Sequence, residues 1–168
     1  MSVSLQETSL TTFNLLLKSL AKILDKAAAH ATAKGYDVSV LLNARLAPDM
    51  FTLIRQVQIA SDVAKGAVAR LTGGEPPKFD DVETTLPELH QRIQKTLDYI
   101  NSVDASAFEG ADDRAIRITV RSRDFDFTGK NFLLTWAFPN FYFHITTAYA
   151  ILRHNGVDIG KPDFLGLV

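Results

Sequence analysis

The chain contains no cysteine among its 168 residues. This absence excludes disulfide bonds, thiolate metal sites and cysteine nucleophiles, and it suits a reducing compartment. Basic residues are not in excess either, because 18 Lys and Arg stand against 19 Asp and Glu, which gives a formal net charge of −1. Binding to nucleic acid requires a basic surface, so we expect no nucleic-acid partner.

The sequence also lacks segments typical of export or membrane insertion. The N-terminal MSVSLQETSL has neither the basic region nor the apolar stretch of a signal peptide. The most apolar run, residues 132–152, is long enough to span a bilayer. Pro139, Asn140 and His144 interrupt it, however, and a buried helix explains it better. We therefore predict a soluble, cytoplasmic protein with no membrane partner.

The composition is that of an ordinary globular protein. Hydrophobic residues make up 46% and charged residues 22% of the chain. A chain of this length fits one domain, so we expect a single domain over residues 1–168. The sequence contains no glycine-rich phosphate loop, no H-E-x-x-H and no G-x-S-x-G, and so no common catalytic motif identifies a reaction.

Apolar residues recur at three- and four-residue spacing in four segments, which predicts four long helices. The predicted helices span residues 9–34, 48–71, 85–102 and 130–154. Pro48 and Asp49 suit the first turn of the second helix. Thr85 and Glu88 form a capping box that begins the third helix. Pro139 is expected to kink the fourth helix rather than end it.

The period changes from helical to alternating in residues 115–129. Apolar and polar residues alternate twice there, around a short polar turn at residues 121–123, and this predicts a small β-hairpin. The predicted fold class is therefore all-α: a four-helix bundle with a small β-hairpin inserted before the fourth helix. More than half of the residues should be helical.

His144 lies in the middle of the apolar stretch NFYFHITTAYAILRHNG, residues 140–156. It could be a metal ligand, a catalytic base, or a core histidine with a hydrogen-bond partner. Asn140, His144 and Thr147 fall on one side of the predicted fourth helix. A buried imidazole without a partner would cost about 1–3 kcal/mol, so we expect His144 to meet polar groups from another helix.

The second predicted helix carries such groups on one face. That polar face consists of Arg55, Gln58, Ser61, Asp62 and Lys65. One interpretation is a solvated face held by pairs of side chains within the helix. The other turns Gln58 and Asp62 inward, toward Asn140 and His144. On this second interpretation the candidate ligand-binding residues are Gln58, Asp62, Asn140, His144 and Thr147, and the candidate metal ligands are His144 and Asp62.

Two segments resemble a known superfamily. They are LLNARLAPDMFTLIRQVQIASDVAKGAVARLTG (41–73) and PNFYFHITTAYAILRHNGVDIGKPDFLG (139–166). The chain resembles the DinB/YfiT-like superfamily of four-helix bundles, and within it a bacterial family defined by a domain of unknown function. The resemblance covers essentially the whole chain. It implies that some relatives are metal-dependent thiol transferases or isomerases and that homodimers are common.

The resemblance also implies a metal site of three histidines, one on the second helix and an H-x-x-x-H pair on the fourth. Here the pair reads Asn140-Phe-Tyr-Phe-His144, and Gln58 or Asp62 lies near the expected place on the second helix. Amide oxygens are weak ligands for zinc or nickel. We therefore expect a degenerate metal site in a bundle that binds a small molecule or a partner. The alternative is a metal-dependent enzyme of the thiol transferase or isomerase type, with Zn or Ni at a non-standard site centred on His144.

A second observation favours a homodimer. Val38, Val40, Leu41 and Leu42 form a nearly unbroken apolar run after the first predicted helix. These side chains need cover, either from the core of the same chain or from a second copy.

Overall fold

The computed structural model describes residues 3–168. The helices are α1 (Leu5–Lys34), α2 (Ser39–Leu42), α3 (Leu53–Leu71), α4 (Leu86–Ser102), α5 (Gly129–Phe132), α6 (Phe138–His154) and α7 (Lys161–Phe164). Strands β1 (Ala115–Val120) and β2 (Arg123–Thr128) form one antiparallel hairpin. More than half of the residues are helical, which confirms the prediction of a mostly helical chain with one hairpin before the last long helix.

The four long helices, α1, α3, α4 and α6, surround one hydrophobic core. Helix α3 contacts each of the other three. Its apolar residues Leu53, Val57 and Val68 are fully buried. The ring of Phe13 in α1 packs edge-on against Phe141 in α6, with centroids 4.9 Å apart. The apolar stripe predicted on α3 therefore faces the core, and α3 is the central helix of the molecule.

Helix α3 begins later than predicted. The predicted start at Pro48 and Asp49 is wrong, because these residues lie in a turn and the helix starts at Leu53. Thr52 has an extended backbone, and its hydroxyl accepts a hydrogen bond from the Arg55 amide at 3.5 Å. A threonine hydroxyl at this position satisfies one of the free amides of the first turn, which explains the later start.

Helix α4 begins where the capping box predicted. The Glu88 carboxylate accepts hydrogen bonds from the backbone amides of Thr84 (2.8 Å) and Thr85 (2.9 Å). These bonds stabilise the charged carboxylate, so the pKa of Glu88 falls to about 2. The prediction of a helix start at Thr85 is confirmed.

The last helical region is not one uniform α-helix. Helix α5 leads without a break into a π-helical turn, Leu133–Ala137, which leads into α6. Proline has no amide hydrogen to donate to the preceding turn. The distortion predicted at Pro139 therefore takes the form of a π turn that ends two residues before it. The predicted end of the helix at His154 is confirmed.

The hairpin covers one end of this helical region. Its two-residue turn places Arg121 and Ser122 at φ values of 47° and 64°, which matches the right-handed twist of the strands. From β2, Phe127 packs against Trp136 of the π turn, with ring centroids 5.8 Å apart. From β1, Ile116 is buried in the core. The hairpin is thus attached to the helices through aromatic and aliphatic contacts.

Most of the polar face of α3 is buried, although not against α6 as one interpretation of the sequence required. Gln58 and Lys65 are 4% and 6% exposed, and Ser61 is fully buried. The interpretation of a solvated face is wrong for these three residues, whereas the side chains of Arg55 and Asp62 are 38% and 34% exposed and the predicted Asp62–Lys65 pair is present at 2.8 Å. The face is covered by side chains of the loop that joins α3 to α4 and by Arg92 of α4.

Arg92 connects this cover to α3. Its guanidinium donates to Asp62 of α3 (2.7 Å), and to Asp81 (3.1 Å) and Glu83 (3.0 Å) of the loop. Its side chain is only 1% exposed. The ring of Phe79, also from the loop, lies 5.3 Å from the guanidinium carbon. A buried cation with three carboxylate partners thus joins α3, α4 and the loop between them.

The apolar run after α1 is only partly covered. Leu41 and Leu42 of α2 are buried in the core, whereas Val40 is 59% exposed. The chain itself therefore covers half of the run that favoured a second copy.

Among residues 3–168, no helix combines the length and the apolar character that crossing a bilayer requires.

We expect Arg92→Met to lower the free energy of unfolding by roughly 3 kcal/mol, because it leaves three neighbouring carboxylates without their shared cation. Urea denaturation followed by circular dichroism measures the effect. The matched control is Arg117→Met, which removes an ion pair to Asp126 whose side chains are 65% and 67% exposed. The control should change stability by less than about 1 kcal/mol. Equal effects of the two substitutions would contradict the structural role given to Arg92.

Candidate functional site

His144 is buried, with 8% of its surface exposed, and pairs with Gln56 of α3. The imidazole Nδ1 lies 2.7 Å from Gln56 Oε1. The amide nitrogen of Gln56 donates to the carbonyl of Phe51 at 3.2 Å, which orients its oxygen toward the histidine. Since that oxygen can only accept, Nδ1 carries the proton in the neutral ring. The predicted polar partner from another helix exists, but it is Gln56 rather than Gln58.

The surroundings of His144 favour the neutral imidazole. Burial, with a smaller contribution from the positive charge of Arg55, lowers the pKa of His144 from 6.5 to about 4. The ring is therefore uncharged near neutral pH. Within the described part of the chain no hydrogen-bond partner is recorded for Nε2. This geometry is that of a buried histidine held by one amide.

Gln58 and Asp62 do not bond to His144. The amide of Gln58 donates to Glu83 at 2.9 Å and accepts from Arg55 at 3.2 Å. Asp62 Oδ1 accepts from Arg92, and it also pairs with Lys65 at 2.8 Å. The expected approach of Gln58 to His144 is thus not found, because Glu83 of the loop and Arg55 of α3 bind its amide instead.

Asp62 and Asn140 do come together, at a cavity between α3, α6 and the hairpin. The cavity has a volume of about 240 Å³. Its polar lining comes from Asp62, Arg70 and Asn140, and its apolar lining includes Ile118, Phe132 and Trp136. We refer to it below as the α3–α6 cavity. It adjoins the π-helical turn, and π turns inside helices are frequent at functional sites.

Thr147 lies on the other side of His144 along α6. Its hydroxyl donates to the carbonyl of Phe143 at 2.7 Å, within the same helix. Thr147 lines a shallow groove with Leu46, Tyr142, Phe143, Thr146 and Ala150. The five candidate ligand-binding residues therefore divide between the loop contacts (Gln58), the α3–α6 cavity (Asp62, Asn140), a buried pair (His144) and the groove (Thr147).

The donor groups around His144 do not fit zinc or nickel. Its Nδ1 is bonded to Gln56, and the position four residues earlier is Asn140. Asp62, the second candidate ligand, is neutralised by Arg92 and Lys65. Within residues 3–168, no group of three or more His, Asp or Glu side chains could hold a metal ion. One imidazole with amide neighbours is a poor site for either metal.

Comparison with known proteins places the chain in a family. Residues 5–165 match the family described as Domain of unknown function (DUF1993). The chain belongs to the DUF1993 family. No curated protein matches it. The predicted resemblance to a family defined by a domain of unknown function is thus confirmed.

A solved structure is also similar to this DUF1993 chain. It is a crystal structure of a DinB family member protein from Shewanella denitrificans, with 52% sequence identity and a TM-score of 0.90. The similarity covers 96% of this chain and 92% of that chain. The DUF1993 protein is therefore similar to a DinB family member over nearly its whole length.

Three residues of the candidate site are not among those that the sequence predicted. Gln56 stands between Arg55 and Gln58 in the sequence but lies on a different side of the helix, so it is not part of the predicted polar face. Arg70 falls in the last turn of α3, where a basic residue is ordinarily assigned to the helix end. Trp136 lies in the π turn, which has no signal in the spacing of apolar residues. Only Trp136 offered a separate cue, since it is the single tryptophan of the chain.

The lowered pKa of His144 predicts a pH-dependent loss of stability. Between pH 6.5 and about 4 the unfolded chain binds a proton that the folded chain does not, so the free energy of unfolding falls as the pH falls. We expect this histidine to contribute a loss of roughly 2 kcal/mol between pH 7.5 and pH 5. Urea denaturation of wild type and His144→Gln at both pH values measures it. An identical pH dependence in the variant would refute the assignment.

Proposed function

We propose that this DUF1993 protein is a four-helix bundle that binds a small organic molecule in the α3–α6 cavity. The observation that carries the proposal is the convergence of Asp62, Arg70 and Asn140 on an otherwise apolar cavity of about 240 Å³. Ligand sites in proteins are commonly concave and mostly apolar, with a few polar groups that orient the ligand. At this volume the ligand would be smaller than a typical drug molecule.

Asn140 supports the proposal because it serves no evident structural purpose. Its side chain has no recorded hydrogen bond to any other described residue, and it is half-buried inside α6. Asparagine is a weaker helix former than alanine, so the helix gains nothing from it. Residues that break a local preference without structural compensation are expected at functional sites.

Trp136 supplies a direct test, because the only tryptophan of the chain lines the cavity. We expect its fluorescence to change saturably on titration with 3-phenylpropanoate or 3-phenylpropan-1-ol. For ligands of this size, dissociation constants of roughly 0.1–1 mM are reasonable. Val63→Phe places a ring at the cavity wall and should abolish the change.

The matched control is Val82→Phe, which makes the same substitution at a side chain that is 73% exposed on the loop after α3. It should bind as wild type does. An absence of saturable change with both probes in wild type would overturn the proposed function. A change that persists in Val63→Phe would overturn the location.

The alternative function, a metal-dependent enzyme centred on His144, makes a different prediction. It requires a stoichiometric metal ion in the native protein, and His144→Ala should remove that ion. The hydrogen bond between His144 and Gln56 favours a stabilising histidine instead. Elemental analysis that finds about one equivalent of zinc or nickel per chain would favour the enzyme.

We also propose that the protein forms a homodimer through the outer face of α6. Tyr142 and Phe143 are 41% and 55% exposed there, and Leu46 lies beside them. The groove on this face is lined without a charged residue. A two-fold axis brings the same surface of both subunits together, and an uncharged aromatic face meets itself without repulsion.

We expect wild type to sediment as a dimer at tens of micromolar, and Phe143→Glu to shift it toward monomer, because two buried carboxylates would face each other across the axis. Phe125→Glu, at a residue 37% exposed on the hairpin, is the control and should remain dimeric. A monomeric wild type would refute the dimer. A dimeric Phe143→Glu would refute the interface.

A further inference from the structure

Two charged residues line the α3–α6 cavity, Asp62 and Arg70, and Arg70 is the one without an ion-pair partner among the described residues. Arg70 lines the cavity, and its guanidinium donates to the carbonyl of Gly66, one turn earlier in the same helix, at 3.0 Å. This is its one recorded hydrogen bond to the described residues. Burial lowers the pKa of Arg70, and the exposed Glu75 opposes that effect only in part. A guanidinium has five N–H donors, so most of them remain available to a ligand.

Gly66 provides space for this guanidinium. A Cβ atom on Gly66 would lie 2.7 Å from Nη1 of Arg70, closer than atoms can approach without movement. Glycine inside a helix costs about 1 kcal/mol relative to alanine. Gly66 and Arg70 together therefore hold a guanidinium flat against α3 at the edge of the cavity.

Asp62 also lines the cavity, but Arg92 and Lys65 already compensate its charge. Asp62 lies eight residues before Arg70, about 12 Å along the helix axis. Its Oδ1 is shared by Arg92 and Lys65, and no bond to Oδ2 is recorded within residues 3–168. Arg70 is the single basic residue of the cavity lining, so it compensates one negative charge of a ligand and leaves a second one uncompensated.

From this arrangement we infer that the ligand of the cavity is a small monocarboxylate with an apolar body. Its carboxylate pairs with the guanidinium of Arg70, and its apolar body lies against Trp136 and Ile118. The amide of Asn140 is available for a further polar group. This inference rests on the proposed function and names the class of ligand.

The chemistry of the guanidinium favours a carboxylate over other anions. Its planar pair of N–H groups matches the two oxygens of a carboxylate. A phosphate monoester carries nearly two negative charges at neutral pH, and the guanidinium of Arg70 compensates only one of them. The apolar walls also disfavour a strongly hydrated ion such as inorganic phosphate.

A set of probes with a common phenyl body tests the inference through Trp136 fluorescence. The probes are 3-phenylpropanoate, 3-phenylpropan-1-ol, 2-phenylethylamine and phenyl phosphate. We expect 3-phenylpropanoate to bind at least about tenfold more tightly than each of the others, since hydrogen bonds to a charged partner are worth more than neutral ones. Equal or tighter binding of the alcohol would overturn the inference and leave the proposed function standing. Tighter binding of phenyl phosphate would overturn it as well.

Two variants locate the carboxylate. Arg70→Gln should reduce the preference for 3-phenylpropanoate over the alcohol to less than about twofold, while the affinity for the alcohol persists. Gly66→Ala keeps the arginine but displaces its guanidinium, so it should weaken carboxylate binding several-fold in a helix that is not destabilised. The control, Arg123→Gln, removes one exposed arginine from the hairpin and should retain the full preference.

Thermal melts verify that each variant is folded. If Arg70→Gln does not fold, Gly66→Ala alone decides the question, because its charge is unchanged. The role of Arg70 would be overturned if Gly66→Ala keeps the full preference for 3-phenylpropanoate over the alcohol and Arg70→Gln, where it folds, keeps it too.

Discussion

The burial of α3 on nearly every side is the constraint on which the rest of the structure depends. This helix packs against α1, α4 and α6, yet it carries a stripe of charged and amide side chains. Buried polar groups without partners are costly, so most of them must be paired within the protein; among the described residues the buried hydroxyl of Ser61 is left without a partner. Arg92 meets part of this demand, since its guanidinium binds Asp62 of α3 and Glu83 of the following loop at once. The position of that loop, residues 72–85, follows from this pairing.

The same constraint divides α3 into three polar regions with different roles. Near its start, Gln56 holds His144 in the core as a neutral ring. In its middle, Gln58 and Asp62 are engaged by the loop and by α4. Near its end, Arg70 borders a cavity and keeps most of its donors available. Asp62 and Arg70 are the charged α3 residues that line this cavity, which is why binding is proposed there.

The similarity to a DinB family member establishes ancestry and fold more firmly than chemistry. One fold can carry many functions, so the argument for function depends on the residues of the site. In this chain Asn140 is the side-chain amide nearest to His144 in the sequence. Gln56 is the amide that is bonded to the imidazole. Neutral amides favour hydrogen bonding over metal ligation. The cavity that Asn140 lines is concave and also contains Arg70 and Trp136, and it is there that we propose binding of an organic molecule.

The sequence alone determined the helical class, the capping box at Thr85, the hairpin and the end of the last helix at His154. These features depend on contacts between residues close in the chain, and periodicity and capping record such contacts directly. It also identified His144 as a residue that needs a partner from another helix. It did not determine which glutamine that partner is, or that Arg92 turns the polar face of α3 into a buried one. Gln56 and Gln58 lie on different sides of the helix, and only the packing of α4 and its loop decides which side meets which neighbour. Contacts between residues 30 or 88 positions apart, such as Asp62–Arg92 and Gln56–His144, leave no trace in local spacing, because they form only when the helices pack.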